Sequence, residues 1–178
     1  MRPRARVYAK TASETTAASV AKLKGALSGV VTEVQCTTVG GSGELTNSAA
    51  SVSGTGTIEY TGCTVTLPAG KGCKVTGGAV TTKNLAATTS GQGKNEVKFT
   101  PNEGTEFASI PIEGCSNEAL NNTFPVTGSL VATATGATLS TTHAGVTAQN
   151  TLKFGGVKAG LEGTITISMK EGNPITLT

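Results

Sequence analysis

Apolar and hydroxyl-bearing residues alternate through most of this chain, and glycine interrupts the alternation at short intervals. That pattern admits few folds. Side chains repeat every two residues along a strand, whereas a helix requires a period of 3.6. Ile165, Ile167 and Met169 alternate with Thr164, Thr166 and Ser168, and Ile58 and Tyr60 alternate with Thr57 and Glu59. Further strands are expected at 19–27, 30–37, 44–46, 63–66, 73–76, 80–89, 95–100, 107–112, 124–135, 137–142 and 148–154. Recurring about every 8–12 residues, they predict an all-β fold, an antiparallel β-sandwich or barrel of short Thr- and Gly-rich strands with minimal helix. The one helical turn expected lies within 116–122, capped by Ser116. Pro111 falls inside its strand and calls for an edge or a bulge, because proline donates no ladder hydrogen bond. Gly40-Gly41-Ser42-Gly43, Ser90–Lys94 and Pro68-Ala69-Gly70 read as turns.

Residues 1–18 are polar and low in complexity, and are expected to form a flexible N-terminal arm on a single all-β domain over 19–178. The opening Met-Arg-Pro-Arg-Ala-Arg carries the charge of a signal peptide but no apolar stretch follows it. Met1 is therefore expected to be an expression remnant or a start placed inside a longer gene. No run of about 18 apolar residues occurs, so no membrane span is expected.

Chemistry is limited by what the chain lacks. It has no Asp, no Trp and one histidine, His143, and all 11 acidic residues are glutamate. Acid–base and nucleophilic sites are assembled mostly from His, Asp, Glu and Cys set close enough to shift one another's pKa. A triad through His143 would need a serine elbow that is missing, and the residue reads as a turn histidine. Glu59 or Glu113 paired with another carboxyl would imitate a glycosidase, but no aromatic sugar platform accompanies them. The glycine runs match no phosphate-loop motif, and calcium loops lean on aspartate. No enzyme activity, cofactor or metal is expected. Thr-x-Thr pairs such as Thr55/Thr57 and Thr164/Thr166 would present flat hydroxyl arrays, but without a fixed period. Asn121-Asn122-Thr123 is an N-glycosylation sequon.

The three arginines lie at positions 2, 4 and 6, and beyond them 11 Lys balance 11 Glu. A basic tip on a neutral body is no nucleic-acid surface, which needs a basic stripe to displace counterions. Charged residues make up 14% of the chain. So little charge does little to keep copies apart, which favours self-association.

Cys36, Cys63, Cys73 and Cys115 are separated by 27, 10 and 42 residues, without the short C-x₂₋₄-C spacing of a zinc site. An even number of cysteines in such a chain reads as two disulfides formed in an oxidising compartment. Three connectivities are open. The turn at Pro68-Ala69-Gly70 favours Cys63–Cys73, with Cys36–Cys115 as the second bridge.

Three stretches carry a resemblance: GTIEYTGCTVTLPAGKGCKVTGGAVTTKNLAATTSGQG, FTPNEGTEFASIPIEGCSNEALNNTFPVTGS and THAGVTAQNTLKFGGVKAGLEGTITIS. Over residues 54–178 the chain resembles exported, functionally uncharacterised all-β proteins that occur in multiple copies in some actinobacteria. The resemblance implies export and disulfides at Cys63, Cys73 and Cys115, and brings no activity, cofactor or catalytic residue. The expectation is a non-enzymatic extracellular or cell-surface structural β-domain that assembles with copies of itself, residues 19–31 adding as a strand to a neighbour's edge. The alternative is a secreted binding module for a polysaccharide or small ligand.

Overall fold

The computed structural model describes residues 4–11, 21–48, 51–89, 96–135, 138–142 and 150–169, with side chains for 21–44, 53–89, 96–133 and 150–164. In chain order the strands begin with β1 (Arg4–Thr11), β2 (Ala21–Leu27), β3 (Val30–Cys36), β4 (Thr38–Ser48), β5 (Ser51–Thr61) and β6 (Thr64–Leu67). Next come β7 (Lys74–Val75), β8 (Ala79–Thr81), β9 (Leu85–Thr89), β10 (Glu96–Pro101), β11 (Glu106–Glu113) and β12 (Asn122–Thr127). The last are β13 (Leu130–Thr135), β14 (Thr138–Thr142), β15 (Lys153–Phe154), β16 (Val157–Lys158) and β17 (Gly160–Met169). The fold is all-β, as the alternation predicts, and among the described residues helix is confined to two short 3₁₀ turns at Thr76–Gly78 and Glu118–Leu120.

Among the described residues twelve strands make one sheet and five make another, ordered β16-β15-β12-β11-β7. In the larger sheet the pairing runs β1-β4-β5-β9-β10-β13-β14-β17 and returns to β1. Eight antiparallel strands thus close a ring, which removes the sheet edges those strands would otherwise expose. Strands β2, β3 and β6 extend from the first half of β17, and β8 lies beside the end of β5. This lower part of the sheet faces the five-stranded sheet as a sandwich. Leu23, Leu27 and Val34 on one side and Ile110, Ile112, Phe124, Val126 and Phe154 on the other are all buried in one core. Phe124 and Phe154 meet edge to face, with ring centroids 6.0 Å apart.

Where its side chains are described, the ring follows the period of two except at β13, where Leu130, Val131 and Ala132 are buried in succession. Val39, Leu85, Val97, Phe99, Leu130 and Ala132 are buried, whereas Ser42, Glu44, Thr55, Thr57, Thr88, Lys98 and Thr133 are exposed. Gly43 faces Gly56 across β4 and β5. A Cβ on Gly43 would lie 2.5 Å from the Thr55 carbonyl oxygen, and one on Gly56 would lie 2.5 Å from that of Ser42. Gly40–Gly43 is therefore strand and not the expected turn. Its glycines permit an approach of two backbones that a side chain would block.

Other expectations are corrected for equally local reasons. Residues 4–11, expected in a polar arm, are the strand β1; residues 12–18 of that arm lie outside the described residues. The 19–31 segment is not a spare strand: β2 is paired on both edges, to β17 and β3. It enters β3 through Ser28 (φ 49°) and Gly29 (φ 78°), the doubly left-handed turn favoured in hairpins. The run 80–89 splits into β8 and β9 because Thr82 bridges to Ala108 and the Lys83 amide donates to the Phe107 carbonyl in the other sheet. The run 124–135 divides at Gly128, where φ is 100°. The 3₁₀ turn is capped by Asn117, whose side chain accepts from the Ala119 amide, and not by Ser116. Pro111 and Pro125 lie one position beyond the short neighbours β7 and β15, where no ladder donor is required of them, and the Pro125 carbonyl accepts from the Gly155 amide.

Candidate functional site

All four cysteines are bridged, but not as the turn suggested: the pairs are Cys36–Cys63 and Cys73–Cys115. Pro68-Ala69-Gly70 does not fold a hairpin. Strand β6 before it pairs with β3 in the large sheet, and β7 after it pairs with β11 in the small one. The segment 63–73 is therefore a crossover between the two layers. Gln35 faces Thr64, so Cys36 and Cys63 are the next facing pair of that ladder. Glu113 faces Lys74, and the Ser116 amide donates to the Lys71 carbonyl, which places Cys73 against Cys115 at the end of the other ladder. Each end of the crossover is thus bonded to a different sheet.

An apolar cavity of about 50 Å³ lies between the sheets, lined by Leu23, Val34, Tyr60, Phe107, Ile110 and Leu152 among others. Thr82 also lines it, but its hydroxyl accepts from the Ile58 amide at 2.9 Å and is committed to the fold. Burial pushes the Tyr60 phenol up to about 12. Small-molecule sites run to roughly 300 Å³ and more. The cavity is a packing void on that scale.

A wider surface concavity, about 320 Å³, lies on β4, β5 and β9 between Glu44, Ser53, Thr55 and Thr88. It presents hydroxyls and one carboxylate, which suit a polyhydroxylated ligand, and its described lining contains no aromatic ring.

Glu59 and Glu113 are not brought together. Glu59 is exposed on β5 in the large sheet, and Glu113 is exposed at the end of β11 in the small one. Glu33 is pulled below its ordinary pKa, chiefly by the Thr66 hydroxyl at 2.7 Å, then by the Gln35 amide, with Lys22 and Lys24 adding to the effect. Glu106 is lowered mainly by the Ser109 hydroxyl, and Lys83 lies 3.4 Å away. A general acid needs the opposite shift. His143 lies outside the described residues. Among the described residues no group of three or more His, Cys, Asp or Glu is placed to hold a metal ion. None of their helices is long and apolar enough to cross a membrane.

Asn121, the acceptor of the sequon, has a structural task that its sequence motif did not reveal. Its Oδ1 accepts from the Cys115 amide at 2.8 Å and its Nδ2 donates to the Cys115 carbonyl at 3.0 Å. The signal available in the sequence was an Asn six residues beyond a cysteine, which alone has no specific meaning. No protein-family model matches the chain, and no curated protein or solved structure matches it significantly.

Proposed function

We propose that this protein is a non-enzymatic structural domain of the cell exterior, working at or beyond the surface by associating with copies of itself. The observation that carries this reading is the crossover bonded into both sheets, Cys36–Cys63 at one end and Cys73–Cys115 at the other. Such bridges persist in a non-reducing environment, and bonding each end of the crossover to a different layer resists their separation. The exposed ring positions, rich in Ser and Thr and poor in charge, support the same reading, since little electrostatic repulsion separates copies. Light scattering after gel filtration of the oxidised protein, with negative-stain microscopy of the same fractions, tests it. Filaments or defined oligomers are expected; a monomer at every concentration would overturn it.

A second reading rests on the hydroxyl-lined concavity beside Glu44, which suits a polysaccharide or small polar ligand. It expects Thr55→Val with Ser53→Ala to abolish retention on a polysaccharide that holds the parent protein. No retention of the parent on a broad glycan panel would remove it.

A further inference from the structure

Strand β1 is bound to the ring in an unusual way. It lies on the same edge of β17 as β2, in line with it: Thr11 faces Ile165, and Ala21 faces Gly163. Those partners are two positions apart, about 7 Å along a strand. A chain running straight on would need a single residue to join them, yet nine residues, 12–20, connect Thr11 to Ala21. Nine residues can extend to about 30 Å.

The partners of β1 are also remote in sequence. It pairs with β4 at 40–46 and with β17 at 165–169. The remaining seven strands of the ring are linked to one another by their own ladders, from β4 round to β17. Withdrawing β1 therefore costs only its two ladders, and leaves a slot one strand wide with an unpaired edge on each side. The slot has its own register. Val7 and Ala9 face the glycines Gly43 and Gly41, Ala5 faces Leu45, and Arg6 shares a register position with the oppositely charged Glu44.

We propose that β1 is exchanged between copies, the β1 of one molecule filling the slot between β4 and β17 of the next. The proposal rests on the self-association reading and names the segment that performs it. The exchanged strand makes the same ladders in its neighbour as in its own ring, so exchange sacrifices no pairing. The tether's length exceeds what the local connection needs, and this is what makes the neighbour's slot reachable.

The test uses facing positions Tyr8 and Ser42. Residues opposite one another in an antiparallel pair lie within disulfide reach. Full-length Tyr8→Cys and Ser42→Cys variants are unfolded, mixed in equal amounts, refolded together in a redox buffer and digested for peptide mapping. A linkage between positions 8 and 42, in a species of twice the monomer mass, is expected. Arg6→Cys mixed with Glu44→Cys repeats the measurement at the next facing pair but one. Intact Cys36–Cys63 and Cys73–Cys115 in the same digest report that both partners folded. Absence of the linkage in both mixtures, while chains carrying both substitutions of a pair, Tyr8→Cys with Ser42→Cys or Arg6→Cys with Glu44→Cys, refold alone and close wholly within monomers, would overturn the exchange. If parent assemblies were still seen by light scattering, self-association would stand through another surface; without assemblies, both readings would fall.

Discussion

Asn121 grips Cys115 through both backbone groups, so a single side chain replaces two rungs of a ladder where the strand has ended. Removing it leaves an amide and a carbonyl unsatisfied beside a buried disulfide sulfur. Asn121→Ala is expected to cost about 2 kcal/mol in urea unfolding, the scale of two modest hydrogen bonds lost together. Gly56 is constrained more tightly, because the atoms its Cβ would meet are backbone: the Ser42 oxygen at 2.5 Å and the Gly43 Cα at 2.9 Å. Gly56→Ala should destabilise by about 2–3 kcal/mol through forced separation of β4 and β5. A thermal melt showing no loss would refute that account. Glu33 offers a test in pH. Its folded pKa is lowered, chiefly by Thr66, so its contribution is present above the ordinary glutamate value and fades as pH falls through the folded one. Thr66→Val should therefore cost up to about 1 kcal/mol at pH 7, allowing for partial exposure, and less at pH 3. An equal loss at both pH values would assign Thr66 a role in packing and not in charge.

At the scale of elements, the crossover 63–73 governs how the layers are joined. Chain-entropy arguments assign each bridge about 3.5–4 kcal/mol for loops of 27 and 42 residues. The bridges differ in access. Cys36, Cys63 and Cys115 are buried, whereas Cys73 is half-buried. Graded reduction followed by alkylation and mass analysis should open Cys73–Cys115 before Cys36–Cys63, and the reverse order would contradict this ranking. The same segment shows why pairing was hidden in the sequence. The alternation in 55–61 placed Ile58 and Tyr60 on the half-buried face of β5 correctly, because period is local. Whether Pro68-Ala69-Gly70 returns a strand to its neighbour or sends it to another sheet depends on partners remote in sequence. Glycine is ambiguous in the same way: Gly29 marks a hairpin turn, while Gly43 marks a wall where two backbones come close. Residues 4–11 are a strand and not part of an arm for a related reason. The strand at 4–11 is completed by β4 and β17, and nothing within the first eighteen residues identifies those partners.

The whole molecule combines a closed eight-stranded ring with a two-layer base, and the long β17 belongs to both. Its residues 160–163 serve the base through β2, and 165–169 serve the ring through β1. The candidate sites follow this division: the packing void lies between the sheets of the base, and the hydroxyl-lined concavity lies on the ring wall. The antiparallel register of β1 and β17 also fixes a mechanical response. The Arg4 end of β1 lies toward the Met169 end of β17, with Val7 facing Met169. A force drawing residues 4 and 169 apart acts across the strands and peels their hydrogen bonds one after another, which takes little load. A force applied at Thr11 along the axis of β1 must shear every bond on both its edges together. The same strand is thus a zipper when pulled across its neighbours and an anchor when pulled along its own axis.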